Sequence, residues 1–144
     1  MLDAETIFRV ANLLVVPGWF LLTVAPRWRW GARLVGPVVI PAVLALGYVA
    51  LVAARFGRGS GGFGSLAAIA ALFADPYVLL AGWIHYLAFD LFVGSWEVRD
   101  AQRLGIPHLA VVPCLALTFL LGPAGLLAYL AVRSAARRAL TVSE

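Results

Sequence analysis

The sequence predicts an all-α membrane protein: a bundle of four transmembrane helices, with a short interfacial helix between the second and third. Three observations carry this expectation. Of 144 residues, 63% are hydrophobic and only 12% are charged, and the mean hydropathy is +0.96. A soluble domain of that length needs far more charge to cover its surface, so the excess apolar area must face lipid. The apolar residues gather in four runs of about 20, the number that crosses a hydrocarbon core of roughly 30 Å. These runs are continuous and rich in Leu, Ala and Val, without the alternation of an outer-membrane barrel strand. The length allows one domain, residues 1–144.

The first span covers about residues 7–25. Asp3, Glu5 and Thr6 supply helix-start signals ahead of it, and Pro17-Gly18 inside it predicts a kink. Pro26-Arg27-Trp28-Arg29-Trp30 closes it with rings and cations that suit the headgroup layer. Acidic residues before the run, and no small-residue pattern after it, argue against a cleaved signal. The second span covers about residues 35–54. Pro37 and Pro41 lie near its start, Tyr48 near its middle, and Arg55 and Arg58 at its end. The glycine-rich stretch from Gly57 to Gly64 has no strand before it and no Gly-Lys-Ser/Thr ending, so it does not read as a phosphate loop. Ser65 to Ala74 is apolar but too short to span, and is read as the interfacial helix. The third span covers about residues 76–97. Asp75-Pro76 opens it, its helix continues toward Arg103, and Gly105-Ile106-Pro107 turns the chain. The fourth covers about residues 108–132, with Pro113 and Gly122-Pro123 inside it and Arg133, Arg137 and Arg138 behind it.

The net charge of +4 comes from eleven basic residues, all arginine, set in loops or at helix ends. Such cations snorkel and set topology, so nucleic acid is not an expected partner. With four spans, one side would hold Arg9, Arg55, Arg58, Arg133, Arg137 and Arg138, and the other Arg27, Arg29, Arg33, Arg99 and Arg103. That balance of six against five leaves the orientation almost undetermined, with a faint bias toward both termini inside. Cys114 is the lone cysteine, which excludes an intrachain disulfide and a redox pair.

Polar groups deep in a span are the informative ones, because a charge at the bilayer centre costs about 2.5–3.5 kcal/mol even on the lenient scale. The third span accepts two ionisable groups near its midpoint at Leu87: His85 and Asp90. At about 100° per residue, Trp83, Tyr86, Asp90 and Glu97 share one stripe, and His85, Phe89, Phe92 and Trp96 share a neighbouring one. His85 and Asp90 are about 140° apart. They do not bond directly, but can flank one cavity, each reaching a different helix. Asn12, Tyr48 and Thr118 lie at similar depth on other spans. The candidate catalytic residues are therefore His85 and Asp90. Asn12, Tyr48, Trp83, Tyr86, Phe89, Phe92 and Thr118 are the candidate substrate contacts. The competing explanations are that Asp90 only joins helices and that the aromatic stripe is packing. A second cluster, Glu97, Arg99, Asp100, Arg103 and His108, reads as a salt-bridge network at the membrane edge. Glu97, Asp100 and His108 are metal-ligand types, but their spacing fits no defined motif. No metal and no cofactor is expected.

Trp83-Ile84-His85 followed by Phe89-Asp90-Leu91-Phe92 resembles the W-(I/V)-H…D-L-F motif of the abscisic acid-deficient 4-like family. Asp100, Gly105-Ile106-Pro107-His108, Pro113-Cys114-Leu115 and Gly122-Pro123-Ala124-Gly125-Leu126-Leu127 follow in the family's order. Asn12, Pro17, Trp19 and Pro26 are similar to its first helix. The resemblance spans nearly the whole chain. It implies a neoxanthin synthase-like membrane protein acting on a carotenoid or other isoprenoid lipid. The associated conversion opens an epoxide and removes a proton, an isomerisation that needs an acid and a base. His85 and Asp90 match the motif and suit those roles, with the order open. The alternatives are a non-catalytic carotenoid-binding or assembly subunit, or a small proton-coupled transporter. An all-arginine, Ala/Gly-rich composition suits a bacterial member in the inner (cytoplasmic) membrane. The expected partners are the lipid bilayer, the isoprenoid and, as a homo-oligomer, a second copy of the chain.

Overall fold

The computed structural model describes residues 3–28, 37–55, 57 and 60–142, with side chains as far as Ala136. The described residues form helices, with no strand among them: α1 (Ala4–Val24), α2 (Ile40–Arg55), α3 (Leu66–Leu72), α4 (Pro76–Arg103), α5 (His108–Leu121) and α6 (Pro123–Val142). Arg29, Trp30, Arg33, Arg58 and the first residues of the expected second span lie outside the described residues, as do the side chains of Arg137 and Arg138.

The helix ends follow local chemistry. Asp3 caps α1, accepting from the Thr6 amide at 3.0 Å and the Thr6 hydroxyl at 2.6 Å. Those donors hold the Asp3 carboxyl below its ordinary range. α1 continues through Pro17. Asp75 caps α4 through the amides of Tyr77 and Val78, with Pro76 in the first helical position. At the other end of α4 the Ile106 amide reaches back to the Ala101 carbonyl at 2.9 Å. Gly105 takes the positive φ (+67°) that this reversal requires.

α4 is the axis of the bundle. Its 28 residues make about 42 Å of helix, more than a hydrocarbon core needs. α1 runs parallel to it, with Trp83 bonded to Asn12 near one end and Gln102 to the Pro26 carbonyl near the other. Glycines let the two approach: a Cβ at Gly18 would lie 2.7 Å from Leu91, and one at Gly94 would lie 2.8 Å from Trp19. α2 runs the opposite way. Ile40 is close to Gly18, Tyr48 faces His85, and Arg55 pairs with Asp75 at 3.7 Å and covers the Tyr77 ring. α3 is a seven-residue helix capped by Ser65, with none of its residues fully buried.

Three helical stretches are long and apolar enough to cross a membrane: α1, residues 37–55 and α4. The fourth apolar segment departs from the expected single span. It breaks at Gly122, where φ is +41°, and Pro123 starts a new helix. The two halves fold back on each other. A Cβ at Gly125 would strike the backbone of Thr118, although seven residues along a straight helix are about 10 Å apart. Descending α5, Thr118 meets Glu97 of α4 and Gly122 meets Asp90. Ascending α6, Tyr129 and Arg133 meet Asp100. α5 and α6 are thus a helical hairpin that enters beside the C-terminal end of α4, turns level with Asp90, and returns.

The hairpin resolves the charge balance. Among the described residues, Arg27, Arg99, Arg103 and Arg133 belong to the C-terminal end of α4, and Arg9 and Arg55 to the other. Positive charge selects the cytoplasmic side, so that end is expected inside. A cysteine at Gln102 should react with an impermeant thiol reagent only from the cytoplasm, and one at Ser60 only from the opposite side. The reverse pattern would refute this orientation.

Candidate functional site

The site grows from one face of α4. Asp90, Glu97 and Asp100 recur at spacings of seven and three, which keeps them on the side that meets the hairpin. Asp90 is half-buried. A Cβ at Gly122 would come 2.8 Å from its Oδ1, so the carboxyl rests against the hairpin tip. That is also the N-terminal end of α6, where the helix dipole favours negative charge. Asp90 Oδ2 is buried without a hydrogen-bond partner. Such an atom normally forfeits about 1–3 kcal/mol. Tyr86, one turn earlier, places its phenol within interaction range of the same carboxyl.

Two turns further along α4, Glu97 is fully buried. Its two oxygens share the Thr118 hydroxyl, at 3.0 and 3.2 Å. Asp100 follows, accepting from the Tyr129 hydroxyl at 2.8 Å and from Arg133 Nε at 2.6 Å. Tyr129 is fully buried and stands edge-on to Trp96. A polar seam therefore runs from the hairpin tip to its open end.

The expected site residues fall into separate groups. Trp83 Nε1 donates to Asn12 Oδ1 at 3.3 Å and stacks on Tyr86, with ring centroids 5.3 Å apart. Those three stand on the α1 side, below Asp90. His85 is exposed on the α2 side. It stacks on Phe89 at 4.4 Å, and Tyr48 lies 5.9 Å away. Phe92 joins Phe89 in a groove of about 370 Å³ against Pro41 and Ala45 of α2. Thr118 belongs to Glu97. His85 and Asp90 thus look toward different neighbours. Glu97, Asp100 and His108 also go separate ways, His108 donating from Nε2 to the Thr23 carbonyl at 2.9 Å. Among the described residues, no three metal-ligating side chains converge.

The sequence reading set Glu97 and Asp100 in a solvated network at the membrane edge, and gave Tyr129 no role. The structure turns both carboxylates inward. The signal was present in the shared stripe of Asp90 and Glu97. An unbroken helix over residues 108–132 would carry Tyr129 and Arg133 away from Asp100; the reversal at Gly122 brings them back to it.

The hairpin ends level with Asp90, so it leaves the first half of α4 bare on that side. An apolar groove of about 570 Å³ fills the space between α1 and α4 there. Phe8, Phe73, Leu79, Gly82, Trp83 and Tyr86 line it. It opens sideways into the surroundings, and Tyr86 lines one end of it; Asp90, one turn further along α4, is not among its walls. A long apolar molecule fits such walls, with Glu5 at their polar edge and the Tyr86 phenol at the end nearest Asp90.

A comparison with curated proteins gave no match, and a comparison with solved structures gave none. A family model described as ABA DEFICIENT 4-like matches residues 6–129, from the first turn of α1 to Tyr129 of α6. The chain therefore belongs to the ABA DEFICIENT 4-like family, and by that membership is a carotenoid-related integral membrane protein.

Proposed function

We propose that this protein takes a carotenoid-like isoprenoid from the bilayer into the groove between α1 and α4, and isomerises it by acid–base chemistry without a cofactor. The observation that carries the proposal is the apolar groove walled by Trp83 and Tyr86, with the unpartnered carboxyl oxygen of Asp90 one turn beyond Tyr86 on α4, in a chain of this family. The stacked Trp83 and Tyr86 rings offer flat apolar surface to a polyene. The substrate's end ring would lie at the hairpin tip. One group gives a proton to a ring oxygen as its C–O bond opens, and another takes a carbon-bound proton. The atoms of substrate and product are the same, so no oxidant or reductant is consumed. Of the expected pair, Asp90 carries the proposal, because it follows Tyr86, a wall of the groove, by one turn of α4. His85, beside Phe89 and Tyr48, is tested alongside it. The inner membrane of a bacterium is the proposed location.

Carotenoid-producing cells with and without the chain provide the test. The expected result is a new pigment of unchanged mass that depends on the chain. His85→Ala, on the other face of α4, should retain more conversion than any change at Asp90. Pigment that co-purifies while the profile stays unchanged would instead make the protein a non-catalytic carotenoid-binding subunit. Identical profiles with no bound pigment would end the proposal for those substrates.

A further inference from the structure

A second lipid-shaped space lies on the other side of α1. Here α1 and α5 run antiparallel, with Trp19 edge-on to Phe119, and leave an apolar groove of about 330 Å³. Its α1 wall includes Val16, Phe20 and Thr23, and its α5 wall Val112, Ala116 and Phe119. Each set recurs at helical spacing, so each is one stripe of its helix. Beyond these stripes both walls leave the apolar region: the chain that follows the end of α1 reaches Arg27, and the α5 stripe reaches His108 at its first turn. Arg27 and His108 line a cavity of about 320 Å³, together with Gln102 and Gly105. The groove and the cavity meet at Thr23, which lines the first and accepts from His108 of the second.

The cavity favours negative charge. Arg27 has no carboxylate partner among the described residues. Asp100, the acidic group nearest that end of α4, is already taken by Arg133. Gln102 and His108 each spend a donor on a backbone carbonyl, which fixes the two side chains as walls of the cavity. The groove sets what the anion is attached to. From Val16 to Val24 the α1 wall rises about 12 Å, room for the upper half of an acyl chain. The surroundings are those of the headgroup layer, with Trp28 exposed next to Arg27.

We propose that this groove and cavity form a binding site for an anionic phospholipid, with its phosphate against Arg27 and one acyl chain between α1 and α5. The site is separate from the α1–α4 groove and owes nothing to the proposed reaction. A free phosphate shares the headgroup chemistry but leaves the groove unfilled.

The test follows thermal unfolding of the purified chain in neutral detergent, with phosphatidylglycerol, phosphatidylcholine or inorganic phosphate added. Phosphatidylglycerol should raise Tm saturably, and the other two should not. Arg27→Gln should weaken the apparent affinity for phosphatidylglycerol about tenfold or more, as expected for loss of a charge-assisted contact. Ala116→Trp, which fills the groove from an exposed position, should abolish the shift. Arg9→Gln, at the far end and paired with Glu5, should leave it unchanged. An equal response to phosphatidylcholine, a shift reproduced by phosphate alone, or an unaltered response in both Arg27→Gln and Ala116→Trp would overturn the proposal.

Discussion

Asp90→Asn is expected to lower pigment conversion by at least about 100-fold, the scale of a lost general acid or base, while the protein still folds and still binds pigment. Asn keeps the shape of the side chain and cannot exchange a proton at neutral pH. Oδ2 has no hydrogen-bond partner to lose, so the substitution breaks no bond there, and the Asn carbonyl oxygen still faces the Tyr86 phenol. The contact with Gly122 is served equally well by either group. The informative comparison is Glu97→Gln. Both Glu97 oxygens are committed to the Thr118 hydroxyl, so that change should disturb conversion far less. Chromatography of pigments from matched membranes reads both variants. Full conversion by Asp90→Asn would falsify the assignment of proton handling to this residue.

Gly125→Val should unfold or disorder the hairpin. A Cβ at Gly125 would overlap the amide, Cα and hydroxyl of Thr118. Overpacking usually costs 1–3 kcal/mol, and backbone cannot swing aside as a side chain can, so about 3 kcal/mol or more is expected here. The damage should spread to Glu97, whose partner is Thr118, and to Asp90, which rests on the tip. Gly47→Ala is the matched control. Nothing lies within 4 Å of its Cβ position, and exchanging Gly for Ala inside a helix is worth up to about 1 kcal/mol in stability. Thermal melts of the two variants should therefore move in opposite directions. A Gly125→Val protein as stable as the wild type would mean that α5 and α6 do not pack as described.

Much of the architecture could be read from residue order. The Asp3 and Asp75 caps, the proline opening α4, and the turn at Gly105 depend on interactions within a few residues, which sequence displays directly. The three long apolar helices follow from hydropathy. The hairpin does not, because a run of apolar residues looks the same whether it crosses or doubles back. Only Gly122-Pro123 hinted at the reversal, and in the sequence it read as an irregularity inside one helix. The site inherited that error. The depth of Asp90 was legible from its place in the third span. The inward turn of Glu97 and the parts played by Tyr129 and Arg133 depend on where α6 goes. His85 shows the opposite limit: spacing placed it 140° from Asp90, but only the packing of α2 shows that its ring lies on the outer surface among aromatics.

The doubling back of α5 and α6 also bears on how the protein enters its membrane. Both arms emerge on the face that holds Arg133, so inserting them never drags that guanidinium through oil. Asp90 lies under the hairpin's point, so the depth to which the two arms are seated fixes how closely Gly122 covers the carboxyl.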